Sequence, residues 1–312
     1  MIKEKNNLKK LTFVVAPASD EAESLDFKKL VKHLEEKLET FINLKYSNSY
    51  KDALLSIKDG SAKLGWLGSY AYMKLDQQYT DIEPFAVGIL KGRTTSNYHS
   101  LFIVKSKSDI KKIEDLRGKS LTLSDEFSAS GYKVPKYKLE NIGLPITDKK
   151  IYQNIYYVKN HDEAIKRVLQ GSTDVAAISS INFEKWFKSN QKENKNLRVI
   201  YKSSAISGPP LVFAKNLDPF LKGKIKSIVL DAHNHIDLGG YGGKMDRYID
   251  IETSQTKHLQ SYIRPQWGWK TFALISFFVA VLSFVVIDLE INFLKFILFI
   301  IKFKTLPTNC SV

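Results

Sequence analysis

Apolar and polar positions alternate along most of the chain in two distinct patterns. Residues 11–16 (LTFVVA) form a short apolar run of strand length, and residues 20–41 then place leucines at helical spacing. The same order returns at residues 42–47 (INLKYS) and 49–60 (SYKDALLSIKDG). Strands that alternate with amphipathic helices are typical of βαβ units, so the pattern predicts an α/β fold with a parallel sheet.

Further strands are predicted beyond residue 97. Residues 98–106 (YHSLFIVKS) predict a strand, and residues 197–215 predict two strands around a Gly-Pro-Pro turn. Residues 217–263 show no strand pattern, and we expect helix and loop there.

Two distant segments share one plan. Residues 49–69 and 160–180 each contain a polar turn, an amphipathic helix that ends at a glycine, and a short apolar strand that ends in serine. This repetition predicts two α/β lobes of similar build. Ligands of open α/β sheets bind in the crevice beyond the carboxyl ends of the strands, so we expect a binding site where such turns meet.

The C-terminal region has a different composition. Residues 271–287 (TFALISFFVAVLSFVVI) are uncharged and about long enough to cross a bilayer. They predict a membrane-spanning helix over 271–288, preceded by a linker at 256–270 and followed by an apolar, interfacial tail at 289–312. A buried core helix is the alternative interpretation of the same run.

The composition excludes several functional classes. The chain has 312 residues, 44% of them hydrophobic, which is enough for more than one domain. Its net charge of +14 comes from scattered lysines, without an arginine-rich stripe or zinc-finger spacing, so we expect no nucleic-acid partner. Cys310 is the single cysteine and cannot form a disulfide within the chain. The two histidines of residues 233–235 (HNH) lie on different sides of an expected helix, and we predict no metal and no cofactor.

The stretch EFSASGYKVP (126–135) carries the most informative polar residues. Ser128, Ala129, Ser130 and Gly131 precede a helical pattern, where backbone N–H groups lack intrahelical acceptors. Small hydroxyl residues at this position can cap the helix. The same groups, together with the helix dipole, can instead hold an anion. The spacing alone favours neither interpretation.

Catalytic motifs are missing from the sequence. There is no nucleophile elbow, no Ser/His/Asp order with supporting glycines, and no P-loop lysine. We therefore expect that the protein is not an enzyme.

Several stretches, in the same order, resemble one protein family. The chain is similar from about residue 11 to 255 to the substrate-binding proteins of phosphonate, phosphite and phosphate ABC transporters. The stretch from Tyr98 to Leu139 carries the most specific motifs, and three shorter ones accompany it. They read DALLSIKDGSAKLGWLGSYAY, HDEAIKRVLQGSTDVAAI and SGPPLVFAK.

The resemblance implies a type II periplasmic-binding-protein fold, in which two α/β lobes close on a ligand like a hinge. Lobe one would comprise residues 9–92 and 205–255, and lobe two residues 98–198. Two crossover strands, near 92–98 and 198–205, would join them.

The resemblance also implies a set of ligand-binding residues. These are Ser128, Ala129, Ser130, Gly131, Tyr98, His161, Tyr50 and Ser69. Each has an ordinary structural interpretation as well. The serines and the histidine can cap helices, the two tyrosines can pack at a hinge or beside a helix, and Ser69 can simply follow a tight turn.

Family members that bind aminoalkyl phosphonates have carboxylates beside the ligand ammonium group. The corresponding segments here, residues 178–182 (ISSIN) and 205–210 (AISGPP), contain no acid. A buried ammonium group without a counter-charge is costly. The resemblance therefore predicts a small anion, namely phosphite, phosphate or methylphosphonate.

The implied function is the solute-binding component of an ABC importer, with a permease and its ATPase as partners. Residues 264–295 resemble the first membrane segment of such a permease. We expect the chain at the periplasmic face of the inner membrane, anchored by its C-terminal helix, although the N-terminus shows no signal peptide and the orientation stays open. A membrane-anchored sensor that binds the same ligand class is the alternative.

Overall fold

The structure is a computed structural model in which part of the chain is described. The described residues are 10–19, 26–70, 82–190 and 194–251. The chain divides into one unit of residues 1–263 and a second of 264–312, and every described residue belongs to the first.

The predicted linker at 256–270, the predicted membrane-spanning helix at 271–288 and the tail at 289–312 lie outside the described residues. Within the described ranges, the structure contains no helix that is both long and apolar enough to cross a membrane.

Lobe one is built on a seven-stranded sheet with the order β11-β12-β4-β10-β3-β1-β2. Its strands are β1 (Lys10–Val15), β2 (Phe41–Tyr46), β3 (Leu64–Trp66), β4 (Ile82–Leu90), β10 (Pro210–Ala214), β11 (Gly239–Gly240) and β12 (Gly243–Asp250). Strand β1 runs parallel to β2 and β3, whereas β10 runs antiparallel to β3 and β4. The prediction of a parallel sheet is therefore correct for only part of this lobe.

Among the described residues of this lobe, α-helices lie at Lys28–Leu38, Tyr50–Lys58 and Pro219–Asp231. The helix Tyr50–Lys58 begins where expected because Ser49 Oγ accepts a hydrogen bond from the Asp52 N–H at 3.0 Å. This cap fixes the start of the helix and so places Tyr50 at its first position, facing the interior.

Within the range 217–263, the prediction of helix and loop is wrong for the two strands at Gly239–Gly240 and Gly243–Asp250. Strands β11 and β12 form an antiparallel hairpin, and β12 pairs with β4. Most side chains of β12 are exposed or half-buried, and Tyr248 is the buried one. Since backbone pairing with β4 supports this strand more than side-chain burial does, the sequence carries no regular apolar alternation there.

Lobe two is built on a five-stranded sheet with the order β7-β6-β8-β5-β9. Its strands are β5 (Ser100–Lys105), β6 (Ser120–Leu123), β7 (Asn154–Tyr157), β8 (Val175–Ser179) and β9 (Leu197–Lys202). Helices lie at Val134–Asn141, His161–Gln170 and Ser180–Ser189. Phe102 and Ile103 pack into cores on opposite faces of β5, which explains why this strand is an uninterrupted apolar run.

Two connections, residues 91–99 and 203–209, join the lobes and pair with each other. The Tyr98 N–H donates to the Ile206 carbonyl at 2.9 Å, and the Ile206 N–H donates to the Tyr98 carbonyl at 2.7 Å. The chain therefore has the two-lobed, twice-connected architecture that the resemblance implies. The pairing also places Tyr98 at the junction of the lobes.

Candidate functional site

A small cavity lies between the lobes, and six of the eight predicted site residues line it. These are Tyr50, Tyr98, Ser128, Ala129, Ser130 and His161. Tyr50 comes from lobe one and Tyr98 from the connection, while the other four belong to lobe two. Residues that are up to 111 positions apart, from Tyr50 to His161, therefore meet at one point. Gly131 and Ser69 do not line the cavity and lie directly behind it.

The turn after β6 is both a helix cap and part of the cavity wall. Ser128 has an extended backbone, and its Oγ accepts a hydrogen bond from the Gly131 N–H at 3.0 Å. A π-helical turn at Ala129–Lys133 leads directly into the helix Val134–Asn141. Ser100 Oγ on β5 donates to the Ser130 carbonyl at 2.6 Å and so ties this turn to the sheet.

The position of Gly131 differs from the prediction. Its N–H was expected to face an anion, but it already donates to Ser128 Oγ. The close contacts that require glycine at this position are with other residues of the protein and not with a ligand. A Cβ atom at position 131 would lie 2.4 Å from Ser124 Cβ and 2.9 Å from His161 Cε1. Gly131 thus lets the turn pack against Ser124 and His161. Ala129 and Ser130, which line the cavity, begin this helical turn, where backbone N–H groups lack intrahelical acceptors.

His161 is buried and begins the helix His161–Gln170, capped by Asn160, whose Oδ1 accepts from the Glu163 N–H at 3.0 Å. Its ring nitrogen Nδ1 accepts a hydrogen bond from the Ser179 N–H at 3.3 Å. Because a backbone N–H can only donate, Nδ1 carries no proton, and the proton of the neutral ring is on Nε2. Burial lowers the pKa of His161 to about 4, so the ring is a neutral donor at physiological pH.

Tyr98 is held by Ser69, which explains the position of that serine. Ser69 Oγ donates to the Ser207 carbonyl at 2.7 Å and lies 3.4 Å from the Tyr98 hydroxyl. Burial raises the pKa of Tyr98 to about 12, and hydrogen bonds with Ser69 and Ser130 oppose this shift. Tyr98 therefore remains a neutral phenol, and Ser69 acts on the cavity through it.

Tyr50 occupies the opposite side of the cavity. Burial raises the pKa of its phenol, and a side-chain hydrogen bond with Ser128 acts in the opposite direction. Tyr50 belongs to lobe one and Ser128 to lobe two, and both line the cavity. A Cβ atom at position 68 would lie 2.7 Å from Tyr50 Cε1, so the glycine there allows the phenol ring to pack over the end of β3.

Sequence reasoning missed two aromatic residues of the cavity wall, Trp66 and Tyr241. Their rings lie 4.9 Å apart between centroids, at an angle of 40°. Trp66 is within a short apolar strand and so resembles an ordinary core residue. Tyr241 follows two glycines and precedes two more, and a single aromatic in such a segment was the signal that could have identified it.

The cavity is polar but uncharged. Among the described residues that line it there is no lysine, arginine, aspartate or glutamate. The polar groups directed at it are hydroxyls, an imidazole N–H and the N–H groups at the start of a helix. Such neutral dipoles can stabilise a desolvated anion without a cationic side chain.

Comparison with known proteins supports one family. Residues 13–255 match the family profile described as ABC transporter, phosphonate, periplasmic substrate-binding protein. Over 197 residues the chain is 27% identical to the phosphonates-binding periplasmic protein of Escherichia coli (strain K12), which covers 62% of this chain and 56% of that relative. Over 228 residues it is 25% identical to a probable ABC transporter phosphite binding protein of Prochlorococcus marinus (strain MIT 9301), covering 68% and 74% of the two chains.

Solved structures share the fold. A binding protein component of an ABC phosphonate transporter from Pseudomonas aeruginosa superposes with a TM-score of 0.72 at 18% identity, covering 92% of this chain and 99% of that one. The Prochlorococcus marinus protein in complex with methylphosphonate superposes with a TM-score of 0.69 at 21% identity, covering 82% and 97%. The fold is therefore the two-lobed type II periplasmic-binding-protein fold, with mixed rather than parallel sheets.

The family profile ends at residue 255, and the resemblance of residues 264–295 to a permease stays a prediction. The members of this family are substrate-binding proteins, which agrees with the expectation of a protein that is not an enzyme. The family profile covers well over half of the 312 residues of this chain. The chain therefore belongs to the family of phosphonate ABC transporter periplasmic substrate-binding proteins.

Proposed function

We propose that the protein is the solute-binding component of an ABC importer and captures a small phosphorus oxyanion between its two lobes. The observation that carries this proposal is the uncharged cavity in which several hydrogen-bond donors converge from both lobes. The donors are the hydroxyls of Tyr50, Tyr98, Ser128 and Ser130, the His161 Nε2–H, and the N–H groups at the start of the helical turn Ala129–Lys133.

The arrangement of donors suits a tetrahedral PO3 group. Ser128, Ser130 and His161 approach from lobe two, while Tyr50 approaches from lobe one and Tyr98 from the connection. A ligand that accepts from both groups of donors stabilises the closed arrangement of the lobes, because opening breaks one group of hydrogen bonds. Closure would then present the loaded lobes to a permease and its ATPase at the periplasmic face of the membrane.

The residues that line the cavity also argue against ligands that carry an ammonium group. With no carboxylate in its described lining, a buried ammonium group would lack a counter-charge. We therefore assign phosphite, phosphate or methylphosphonate as the ligand in preference to 2-aminoethylphosphonate. The aromatic rings of Trp66 and Tyr241 complete the wall with apolar surface, which suits a small substituent on phosphorus.

Isothermal titration calorimetry with the full chain tests the proposal. Methylphosphonate, phosphite and phosphate are titrated alongside 2-aminoethylphosphonate. At least one of the first three is expected to bind, and the amine at least about tenfold more weakly, because burying its charge unpaired costs several kcal/mol. A preference for the amine, or binding of none of the four, would contradict the assignment.

Replacing Tyr98 by phenylalanine is expected to weaken binding of the best oxyanion about tenfold, because one hydrogen bond to a charged group is lost. Tyr152 offers a matched control, since its hydroxyl donates to the Leu144 carbonyl at 2.6 Å and the residue does not line the cavity. Tyr152→Phe should lower stability without changing affinity. Equal affinities of wild type and Tyr98→Phe would remove this tyrosine from the site.

A further inference from the structure

A hydrogen-bonded network joins the lobes beside the cavity, and Asn182 is at its centre. Asn182 is buried in the helix Ser180–Ser189 of lobe two. Its Nδ2 donates to the Ala18 carbonyl at 3.3 Å and to Asp162 Oδ1 at 3.0 Å. Its Oδ1 accepts from the Tyr241 hydroxyl at 2.6 Å. Both N–H groups and the carbonyl oxygen of this amide are therefore paired.

The network alternates between the lobes. Ala18, Ser19 and Tyr241 belong to lobe one, and Asp162 and Asn182 belong to lobe two. Ser19 Oγ donates to Asp162 Oδ2, so Asp162 is bound on one oxygen by lobe one and on the other by Asn182. Three contacts of this network thus cross between the lobes, and so does a fourth at Tyr241, whose hydroxyl lies 2.8 Å from Ser179 Oγ in lobe two. All four break when the lobes separate.

The orientation of the Asn182 amide follows from its partners. Nδ2 faces a carbonyl and a carboxylate, which only accept, and Oδ1 faces a phenol hydroxyl, which can donate. A flipped amide would place oxygen against two acceptors, so only one orientation is compatible with the closed lobes.

The backbone around Tyr241 fits the same surface. Gly242 has a φ of +91°, and a Cβ atom there would lie 2.5 Å from Ile181 Cγ2. The glycine-rich turn of lobe one thus packs directly on the start of the Asn182 helix in lobe two. Because any side chain at position 242 would meet Ile181, shape and hydrogen bonding favour the same closed arrangement.

We propose that Asn182, Asp162 and Ser19 form a latch between the lobes that positions Tyr241 against the cavity and slows ligand release. None of the three lines the cavity. They act on the equilibrium between open and closed lobes and, through Tyr241, on the cavity wall. The part of this inference that concerns ligand release rests on the proposed function, whereas the part that concerns lobe closure does not.

The test compares two asparagines of the same helical region in the full chain. Asn182→Leu removes every donor and acceptor of the latch amide at nearly constant side-chain size. Asn190→Leu is the matched control, because Asn190 Nδ2 donates to the Trp186 carbonyl at 2.9 Å within lobe two. Loss of the buried latch bonds is expected to speed release of methylphosphonate about tenfold, with the control within about twofold of wild type. Stopped-flow tryptophan fluorescence with excess phosphite as competitor measures this rate.

Lobe closure is measured without any ligand. Nitroxide labels on Lys32→Cys and Lys149→Cys, both at exposed positions, one in each lobe, are introduced with Cys310→Ser in the background. Pulsed electron resonance should show a population at short distance in wild type and in Asn190→Leu. In Asn182→Leu this population should be depleted in favour of longer distances.

The outcomes are decisive in each case. The latch is refuted if Asn182→Leu and Asn190→Leu give the same distances, even when release rates differ, because Asn182 would then act only locally. If no oxyanion binds, the proposed function fails and the distances still test the latch. If Asn182→Leu does not unfold cooperatively, Ser19→Ala replaces it, and that variant must shift the distances in the same direction for the latch to stand.

Discussion

Replacing Gly131 by alanine is expected to lower the affinity for methylphosphonate by about 100-fold or more. The reason is that the donors of the turn Ala129–Lys133 and the donor of His161 can no longer keep their relative positions. The new Cβ atom would lie 2.4 Å from Ser124 Cβ and 2.9 Å from His161 Cε1. Neither distance is sterically possible. The turn that carries Ala129 and Ser130 must therefore move away from His161, and the convergence of their donors is lost.

Calorimetric titration measures the loss, and thermal unfolding shows whether the lobe still folds. Gly223→Ala is the control, because a Cβ atom in that helix meets nothing within 4 Å. It should leave affinity unchanged and raise stability by about 0.5–1 kcal/mol. The double variant Gly131→Ala with Ser124→Gly removes the nearest obstructing atoms and should recover part of the affinity. Undiminished binding by Gly131→Ala would show that the turn is only a helix cap.

Stability is expected to fall as the pH drops from about 6.5 to about 4, with a contribution from His161 of order 3 kcal/mol. Burial lowers the pKa of this imidazole from the ordinary 6.5 to about 4 in the folded protein. Between these values the unfolded chain binds a proton and the folded chain does not. The stabilising contribution is therefore fully present above pH 6.5, declines as the pH falls, and is lost below the folded pKa.

Urea unfolding at a series of pH values measures this effect. The difference in the free energy of unfolding between wild type and His161→Gln separates the contribution of His161 from that of the carboxylates and of His33. The pKa of His33 is lowered by burial and by the neighbouring His235. His233→Gln is the control, because His233 is exposed and its Nδ1 lies 2.9 Å from the Leu230 carbonyl. A wild-type curve parallel to that of His161→Gln would contradict a neutral buried imidazole.

The imidazole of His161 is also expected to contribute to oxyanion binding. His161→Phe keeps an aromatic ring but removes the Nε2–H, and it should weaken oxyanion binding about 100-fold because a donor to a desolvated charge is lost. Nitrogen NMR shifts of the wild-type ring should show the proton on Nε2 down to about pH 5. A proton on Nδ1 would conflict with the donation from the Ser179 N–H.

Most of the strands, helices and caps that were predicted correctly were predicted from patterns among residues close in sequence. The alternation of apolar runs and amphipathic stretches predicted the strands and helices around residues 11–66 and 98–179, because burial on one face of each element produces that period. Ser128 was readable as a cap, since a cap involves groups only a few residues apart. Strand β12 was not readable, because its support comes from backbone pairing with a distant strand.

The sequence by itself therefore determined the order of elements, the two-lobed plan implied by their repetition, and which polar residues were candidates for binding an anion. Only the tertiary structure decided that the Gly131 N–H is used within the cap, that Ser69 acts through Tyr98, and which nitrogen of His161 carries the proton. It also decided that Tyr241 meets Asn182 across the lobes. These features depend on contacts between residues as far apart as Ser19 and Asp162, which are 143 positions distant in the chain. No local periodicity encodes such pairs, because their geometry is set only when the packed cores of two lobes bring them together.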